Sequence, residues 1–152
     1  FGKDDLAMVS DLAASVKELF ALRDKLESYL TGIMTELCPN VLALTGATIG
    51  ARLLAQAGSL KRLMELPSST VQLLGAEKAL FRHLKNRKNL PPKYGILHEH
   101  PLVAKVNKSS RGKAARVLAD KISLAARVDF FKGSFVGDRL RKDVEKRIGV
   151  AW

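Results

Sequence analysis

Cysteine is almost absent from this sequence of 152 residues, in which Cys38 is the one thiol. A single cysteine can form no intramolecular disulfide and no cysteine zinc site. We therefore expect a protein of a reducing compartment. Long apolar runs are missing as well, since none approaches the roughly 20 residues of a membrane-spanning helix. We expect neither a membrane span nor a signal peptide.

The residue patterns of common catalytic sites are also missing. The histidines are His83, His98 and His100. His98 and His100 are two residues apart and would share a face only in a strand, and no third ligand lies nearby in the sequence. No glycine-rich phosphate loop and no nucleophile–base pattern is recognisable. The sequence predicts no enzyme, no metal site and no cofactor.

Acidic residues nearly disappear from the middle of the chain. Residues 1–75 hold seven Lys/Arg and eight Asp/Glu, whereas residues 76–152 hold nineteen and seven. Within residues 78–116, eleven basic residues accompany one acid, Glu99. This asymmetry indicates a polyanionic partner, either nucleic acid or an anionic membrane surface. A solvated basic surface without a partner is the alternative.

Aromatic residues make up only 6% of a chain that is 47% apolar, which favours packed helices rich in Leu, Ala and Val. Residues 3–37 place apolar side chains three and four apart between charged ones, which predicts one helix about 50 Å long. A narrow apolar seam on so long a helix is typical of a coiled coil. The alternative is a long helix that lies on its own domain.

The remaining sequence also reads as helical, and no strand alternation or repeat is visible. Asn40 can cap the second helix. Gly46 and Gly50 form a small-xxx-small pair that permits close helix packing, and Gly75 marks a kink. The predicted segments are 40–57, 60–66, 68–84, a short helix near Pro101, 111–131, and a last helix from Ser134 or Asp138 to Ile148.

Basic residues recur at helical spacing in the stretch "GAEKALFRHLK", residues 75–85. Lys78, Arg82 and Lys85 share one helix face, as a row of phosphate contacts requires. A second group lies at the start of a later helix, where free backbone N–H groups add anion affinity: Arg111, Lys113, Arg116 and Lys121. Aromatic residues are few here, which favours recognition of a folded RNA by shape and backbone.

Four stretches together resemble the Nop domain of box C/D ribonucleoproteins, over about residues 39–148. They are "PNVLALTGATIGARLLAQAGSLKRLMELPSSTVQLLGAEKALFRHLK", "PPKYGILHEHPLV", "RGKAARVLADKISLAARVD" and "GSFVGDRLRKDVEKRI". The intact "GAEKALFRHLK" is typical of the box C/D branch rather than of the spliceosomal relative. The short connection "PPKYGILHEHP" is more similar to archaeal members. The resemblance implies an all-α fold: a long coiled-coil helix over 1–38, then a compact helical Nop domain over 39–152.

The resemblance also implies a function, that of a non-catalytic scaffold. Nop domains bind a kink-turn RNA that a small ribosomal-protein-like partner already holds. The scaffold connects this box C/D guide RNA to fibrillarin, which carries out 2′-O-methylation of the target RNA, so we expect a role in rRNA processing. Self-association through the coiled coil pairs two copies. We expect a cytoplasmic archaeal protein, or a nucleolar one if the source is eukaryotic.

The chain begins at Phe1 without an initiator methionine, and we expect it to be a fragment. The resemblance implies that the family's fibrillarin-binding N-terminal domain and first coiled-coil arm lie outside this fragment. A spliceosomal-type Nop protein that binds a small nuclear RNA kink-turn is one alternative. A helical protein-interaction module with a basic face, or a membrane-surface adaptor, is another.

The resemblance also implies site residues. In "GAEKALFRHLK" the apolar stripe of Leu80, Phe81 and Leu84 would anchor the helix while its cations face RNA. Relatives carry Gln or His near Glu99, so one of three neighbouring residues is expected to meet RNA. The candidates for RNA contact are Lys78, Arg82, Lys85, His98, Glu99, His100, Arg111, Lys113, Arg116 and Lys121. Those for contact with the partner protein are Leu66, Ser68, Thr70 and Leu102.

Overall fold

The structure is a computed structural model that describes residues 2–150, and that part of the chain contains helices and no strand. This confirms the all-α prediction. A 3₁₀ turn at Ile96–Glu99 precedes α6. None of the described helices is long and apolar enough to cross a membrane. The helices are α1 Lys3–Leu37, α2 Pro39–Ala57, α3 Leu60–Glu65, α4 Ser68–Leu73, α5 Glu77–Lys85, α6 Pro101–Lys105, α7 Arg111–Phe130 and α8 Gly137–Ile148.

Helix α1 extends away from the rest of the domain. Its apolar seam is open to solvent, with Leu12 65% and Leu19 64% exposed. Only its last turns pack, where Met34 is buried against α2. A Cβ on Gly50 would lie 2.5 Å from the Met34 methyl carbon and 2.6 Å from Thr45 Oγ1, so any larger residue would displace these side chains. The predicted long helix is confirmed, and the alternative that it lies on its own domain is wrong.

Helix α7 forms the centre of the domain and packs against α2, α3, α4 and α8. Its inner face is made largely of small residues, which let four neighbouring helices approach closely. Phe131, the last residue of the predicted segment 111–131, lies just beyond the helix and is exposed, because α7 ends at Phe130. The buried residues of the face include Ala114, Ala115, Leu118, Ala119, Ile122, Ala125 and Ala126.

The first turn of α2 is capped by a carboxylate that lies 89 residues away in the sequence. Asp129 Oδ1 accepts hydrogen bonds from the Asn40 backbone N–H at 3.1 Å and from Asn40 Nδ2 at 2.7 Å. Asp129 Oδ2 accepts one from the Val41 N–H at 2.9 Å. The Asn40 side-chain oxygen accepts the Val136 N–H at 2.6 Å. The prediction that Asn40 caps α2 is therefore wrong: Asp129 caps it, and Asn40 connects it to α8.

Two glycines interrupt the predicted helical segments 40–57 and 68–84. Gly46 adopts a φ of 69° inside α2, and no atom lies within 4 Å of the Cβ it lacks. Gly46 therefore provides a backbone kink and not the close packing that we predicted for the pair. Close packing holds for Gly50 alone. Gly75, with a φ of 85°, lies at the predicted kink, and the interruption there is complete, since α4 and α5 are separate helices. Left-handed backbone of this kind favours glycine.

Replacing Asp129 by alanine should lower the free energy of unfolding by about 2–4 kcal/mol, because two buried N–H groups and the Asn40 amide lose their acceptor. Urea denaturation followed by circular dichroism measures this change. Asp120→Ala is the matched control, since Asp120 is exposed on the same helix. It should change stability by less than about 0.5 kcal/mol. Equal unfolding midpoints for the two variants would contradict the capping role.

Candidate nucleic-acid interface

Helix α5 presents a row of unpaired cations. Lys78, Arg82 and Lys85 are exposed, and among residues 2–150 no ion pair involves any of them. The start of the helix is fixed by Glu77, whose Oε1 accepts the Gly75 N–H at 2.7 Å and the Gln56 amide at 3.2 Å. The cationic row is therefore held on an ordered helix and is available to an anion.

The apolar stripe of α5 does not anchor the helix, contrary to our expectation. Phe81 is 66% exposed and Leu84 is 52% exposed, and no side chain of α5 is fully buried. The break at Gly75 turns α5 away from the core that α4 joins. On a helix of 3.6 residues per turn, Phe81 lies beside Lys78 and Lys85. The exposed ring thus adds a stacking surface to the cationic face.

An open groove of about 760 Å³ lies between α2, the start of α5 and the 3₁₀ turn. The rings of Tyr94 and His98 stack along it, with centroids 6.1 Å apart and planes 16° from parallel. The His98 Nδ1 atom lies 3.0 Å from the Gly95 carbonyl oxygen, which orients the imidazole. The polar residues that line this groove are Arg52, Gln56, Tyr94, His98 and Glu99.

Glu99, the only acid of the basic middle segment, forms an ion pair with Arg52 of α2. Both side chains remain nearly half exposed in the groove, at 43% and 47%. The pair explains how a carboxylate is accommodated next to a cationic surface. Sequence reasoning missed Arg52 because it lies 47 residues away. The signal that pointed to it was general: a lone acid in a basic region needs a cationic partner.

His100 is fully buried and cannot contact RNA in this fold, so that prediction is wrong. Its Nδ1 accepts the Leu102 N–H at 3.2 Å and thereby caps α6. With that nitrogen accepting, Nε2 carries the proton and donates to the Leu44 carbonyl oxygen at 3.0 Å. Burial lowers the pKa of His100 to about 4, and the Arg141 charge contributes in the same direction against the Leu44 hydrogen bond.

The second predicted group of cations is divided by the fold. Lys113 and Arg116 are exposed on α7 and have no ion pair among the described residues. Arg111 is half-buried and donates to the carbonyl oxygens of Ala104 and Val106, at 3.1 and 3.2 Å. Lys121 is only 11% exposed and pairs with a carboxylate of α8 at 2.5 Å. Lys113 and Arg116 therefore remain the available pair.

The candidates for contact with a partner protein also differ in exposure. Leu102 is fully buried in the core, so its predicted surface role is wrong. Leu66 and Ser68 are half-buried and Thr70 is exposed, around the junction of α3 and α4. No group of histidine, cysteine and carboxylate side chains within the described chain could hold a metal ion.

Residues 1–149 match the Nop family, described as "snoRNA binding domain, fibrillarin". A NOP5 family protein of Methanocaldococcus jannaschii is 42% identical over 95% of this chain and 34% of its own length. Nucleolar protein 56 of Caenorhabditis elegans is 45% identical over 95% of this chain and 30% of its own. Nucleolar protein 58 of Schizosaccharomyces pombe is 49% identical over 84% and 25%.

The fold is also similar to a solved structure. A chain in the crystal structure of a fibrillarin/Nop5p complex superposes with a TM-score of 0.70 at 33% sequence identity. The similarity covers 93% of this chain and 53% of that chain. This chain spans a quarter to a third of the length of the three curated relatives.

The buried His100 should make stability depend on pH. Because its pKa is about 4 in the folded state against 6.5 normally, the unfolded chain binds a proton that the folded chain excludes. Its contribution is complete above about pH 6.5, decreases as the pH falls, and levels off below about pH 4. The loss is about 3 kcal/mol. Urea denaturation of the wild type and of His100→Gln at several pH values measures the difference.

His98→Gln is the control for this prediction, because His98 is exposed. That variant should keep the pH dependence of the wild type, whereas His100→Gln should lose the part between pH 6.5 and 4. Parallel pH profiles for the wild type and His100→Gln would show that the burial of His100 does not control its protonation.

Proposed function

The chain belongs to the Nop family, and from that membership we propose that it is a non-catalytic scaffold that binds a box C/D guide RNA. The exposed and unpaired cationic row of α5 carries the proposal. Three cations over two helical turns match the backbone of an RNA strand, where neutralised phosphates release counterions. Lys113 and Arg116 supply further cations on α7.

The groove beside α5 supports recognition of an RNA with unstacked nucleotides. Stacked Tyr94 and His98 offer aromatic planes, and the Arg52–Glu99 pair offers hydrogen-bond donors and acceptors together. Such groups recognise splayed bases, as in a kink-turn, rather than a regular duplex. Glu99 then accepts from a base amino group while Arg52 keeps its charge compensated.

A composite target follows from this distribution of groups. Cations alone bind RNA without discrimination, with dissociation constants of roughly 10⁻⁴–10⁻⁶ M. We propose that the domain contacts a kink-turn RNA and its small ribosomal-protein-like partner together. Leu66, Ser68 and Thr70 form the protein-facing side. Two weak contacts on one rigid body act at high effective concentration.

The remaining parts of the proposal concern the longer protein. The relatives' names refer to fibrillarin and to the nucleolus. We propose that residues 39–152 form the RNA-binding domain, and that residues 1–38 belong to a coiled coil that pairs it with a second copy. Fibrillarin would bind through the N-terminal domain of the longer protein. The scaffold would then support 2′-O-methylation, in the nucleolus of a eukaryote or in the archaeal cytoplasm.

The composite mechanism predicts that the preformed complex of kink-turn RNA and partner binds at least about tenfold tighter than the RNA alone, which is roughly 1.4 kcal/mol. The partner alone should also bind weakly. Fluorescence anisotropy with labelled RNA, with and without the partner, measures the difference. Equal affinity for bare RNA and complex would exclude a composite surface and leave a general RNA-binding domain.

Charge variants serve as controls for this measurement. Neutralising Lys78, Arg82 and Lys85 together by glutamine should weaken binding of the complex and flatten its log–log dependence on salt by about 2–3. Lys17→Gln with Lys25→Gln removes exposed charges from α1 and should leave both quantities unchanged.

We predict that residues 1–38 support self-association through the apolar seam of α1. Val16 is 41% exposed and Phe20 is 53% exposed, so their replacement by Asp should not disturb the domain core. In the full-length protein the double variant should weaken self-association, as sedimentation equilibrium would measure, with its thermal unfolding unchanged. Lys25→Asp, on the opposite side of α1 from Val16, should leave it intact. Dimers of unchanged strength in the double variant would refute the assignment.

A further inference from the structure

We infer that the groove between α7 and α8 is a second RNA surface, which binds the phosphate backbone of a regular RNA duplex. The inference rests on the proposed function only in that the domain binds RNA. It concerns a different surface, because this groove shares no lining residue with the groove beside α5.

The first observation is a row of cations on α8. Arg139, Lys142 and Lys146 follow an i, i+3, i+7 spacing, which places them on one face over about 10 Å. All three are exposed, and within residues 2–150 none of them forms an ion pair. They line an open groove of about 470 Å³ together with Lys121 and Leu124 of α7.

The second observation is the state of the one carboxylate in that groove. Asp143 accepts from Lys121 at 2.5 Å and pairs with Arg147 at 3.6 Å. The hydrogen bond from Lys121 holds the pKa of Asp143 below its usual range, and the charges of Arg147 and Lys146 act in the same direction. Asp143 therefore stays ionised and neutralises mainly Lys121 and Arg147. The row of Arg139, Lys142 and Lys146 keeps a surplus of positive charge.

The third observation is chemical and selects the form of RNA. No aromatic side chain is present among the described residues that line this groove. Recognition of single strands relies on stacking of bases on aromatic rings. A cationic groove with only an aliphatic floor, made by Leu124 and Leu140, suits a continuous phosphate backbone whose bases are already paired. The α5 side, with Phe81, Tyr94 and His98, offers the complementary chemistry for unpaired bases.

The test uses the variant Arg139→Gln, Lys142→Gln, Lys146→Gln of the whole chain. The probes are a 20-base-pair RNA hairpin stem without a kink-turn and a single strand of 20 nucleotides. For the stem, the log–log dependence of affinity on salt should flatten by about 2–3, and affinity at low salt should fall at least about tenfold. Affinity for the single strand should fall less than about threefold.

The control variant replaces three exposed lysines outside the groove by glutamine, Lys17, Lys25 and Lys61. It should bind both probes as the wild type does. Matching thermal unfolding curves would establish that all variants are folded. An unchanged salt dependence on the stem would overturn the inference, and so would equal losses on stem and single strand. Because no kink-turn and no partner protein is used, the result is independent of whether the composite mechanism holds.

Discussion

The arrangement of the domain depends on one buried carboxylate. Asp129, near the end of α7, binds the first backbone N–H groups of α2 and the amide of Asn40, which in turn holds the backbone before α8. A buried carboxylate is stable only where hydrogen bonds replace its lost water. Three helix ends must therefore converge on this point. The kink at Gly46 then directs the second half of α2, which brings Arg52 to Glu99, and the position of α8 against α7 creates the groove between them.

The acids of the basic half are used mainly to fix structure. Glu77 holds the start of α5, Glu99 compensates Arg52, Asp129 caps α2, and Asp143 joins α7 to α8. Few acids are left to neutralise the exposed cations of α5 and α8. A surplus of like charge opposes folding through self-repulsion, and the alanine-lined packing of α7 offsets that cost. The unpaired charge is thus a feature that the fold supports, as binding of a polyanion requires.

How far the sequence predicted this structure depends on the range of the interactions. Helical periodicity is local, and so the long α1, the bounds of α7 and the end of α8 at Ile148 followed from it closely. The short α6 was expected from Pro101. The contacts of Asp129 with Asn40, and of Arg52 with Glu99, join residues 89 and 47 positions apart, which no local spacing shows. His100 was a candidate RNA contact by residue type, but the fold uses both of its nitrogens inside the core. The prediction for Phe81 was wrong in the opposite sense: the ring was expected to anchor α5 and is exposed. An apolar stripe on a helix does not show whether the fold places a core against it.

Exposure of the Phe81 side chain costs free energy, which indicates that the ring has a function at the surface. Leaving a large apolar side chain in water forgoes about 1.5–3 kcal/mol of burial, yet α5 is ordered by Glu77 and Gln56 rather than by packing of that ring. The backbone that carries Phe81 is therefore already fixed at the start of α5, so that stacking on a base orders only the side chain. The positions of the two surfaces relative to one another are also fixed, because α4, which precedes α5, and α8 both pack on α7. The rigid α7 therefore fixes the position of the α8 groove relative to the α4 side of the domain, and an RNA that uses the groove must match that geometry.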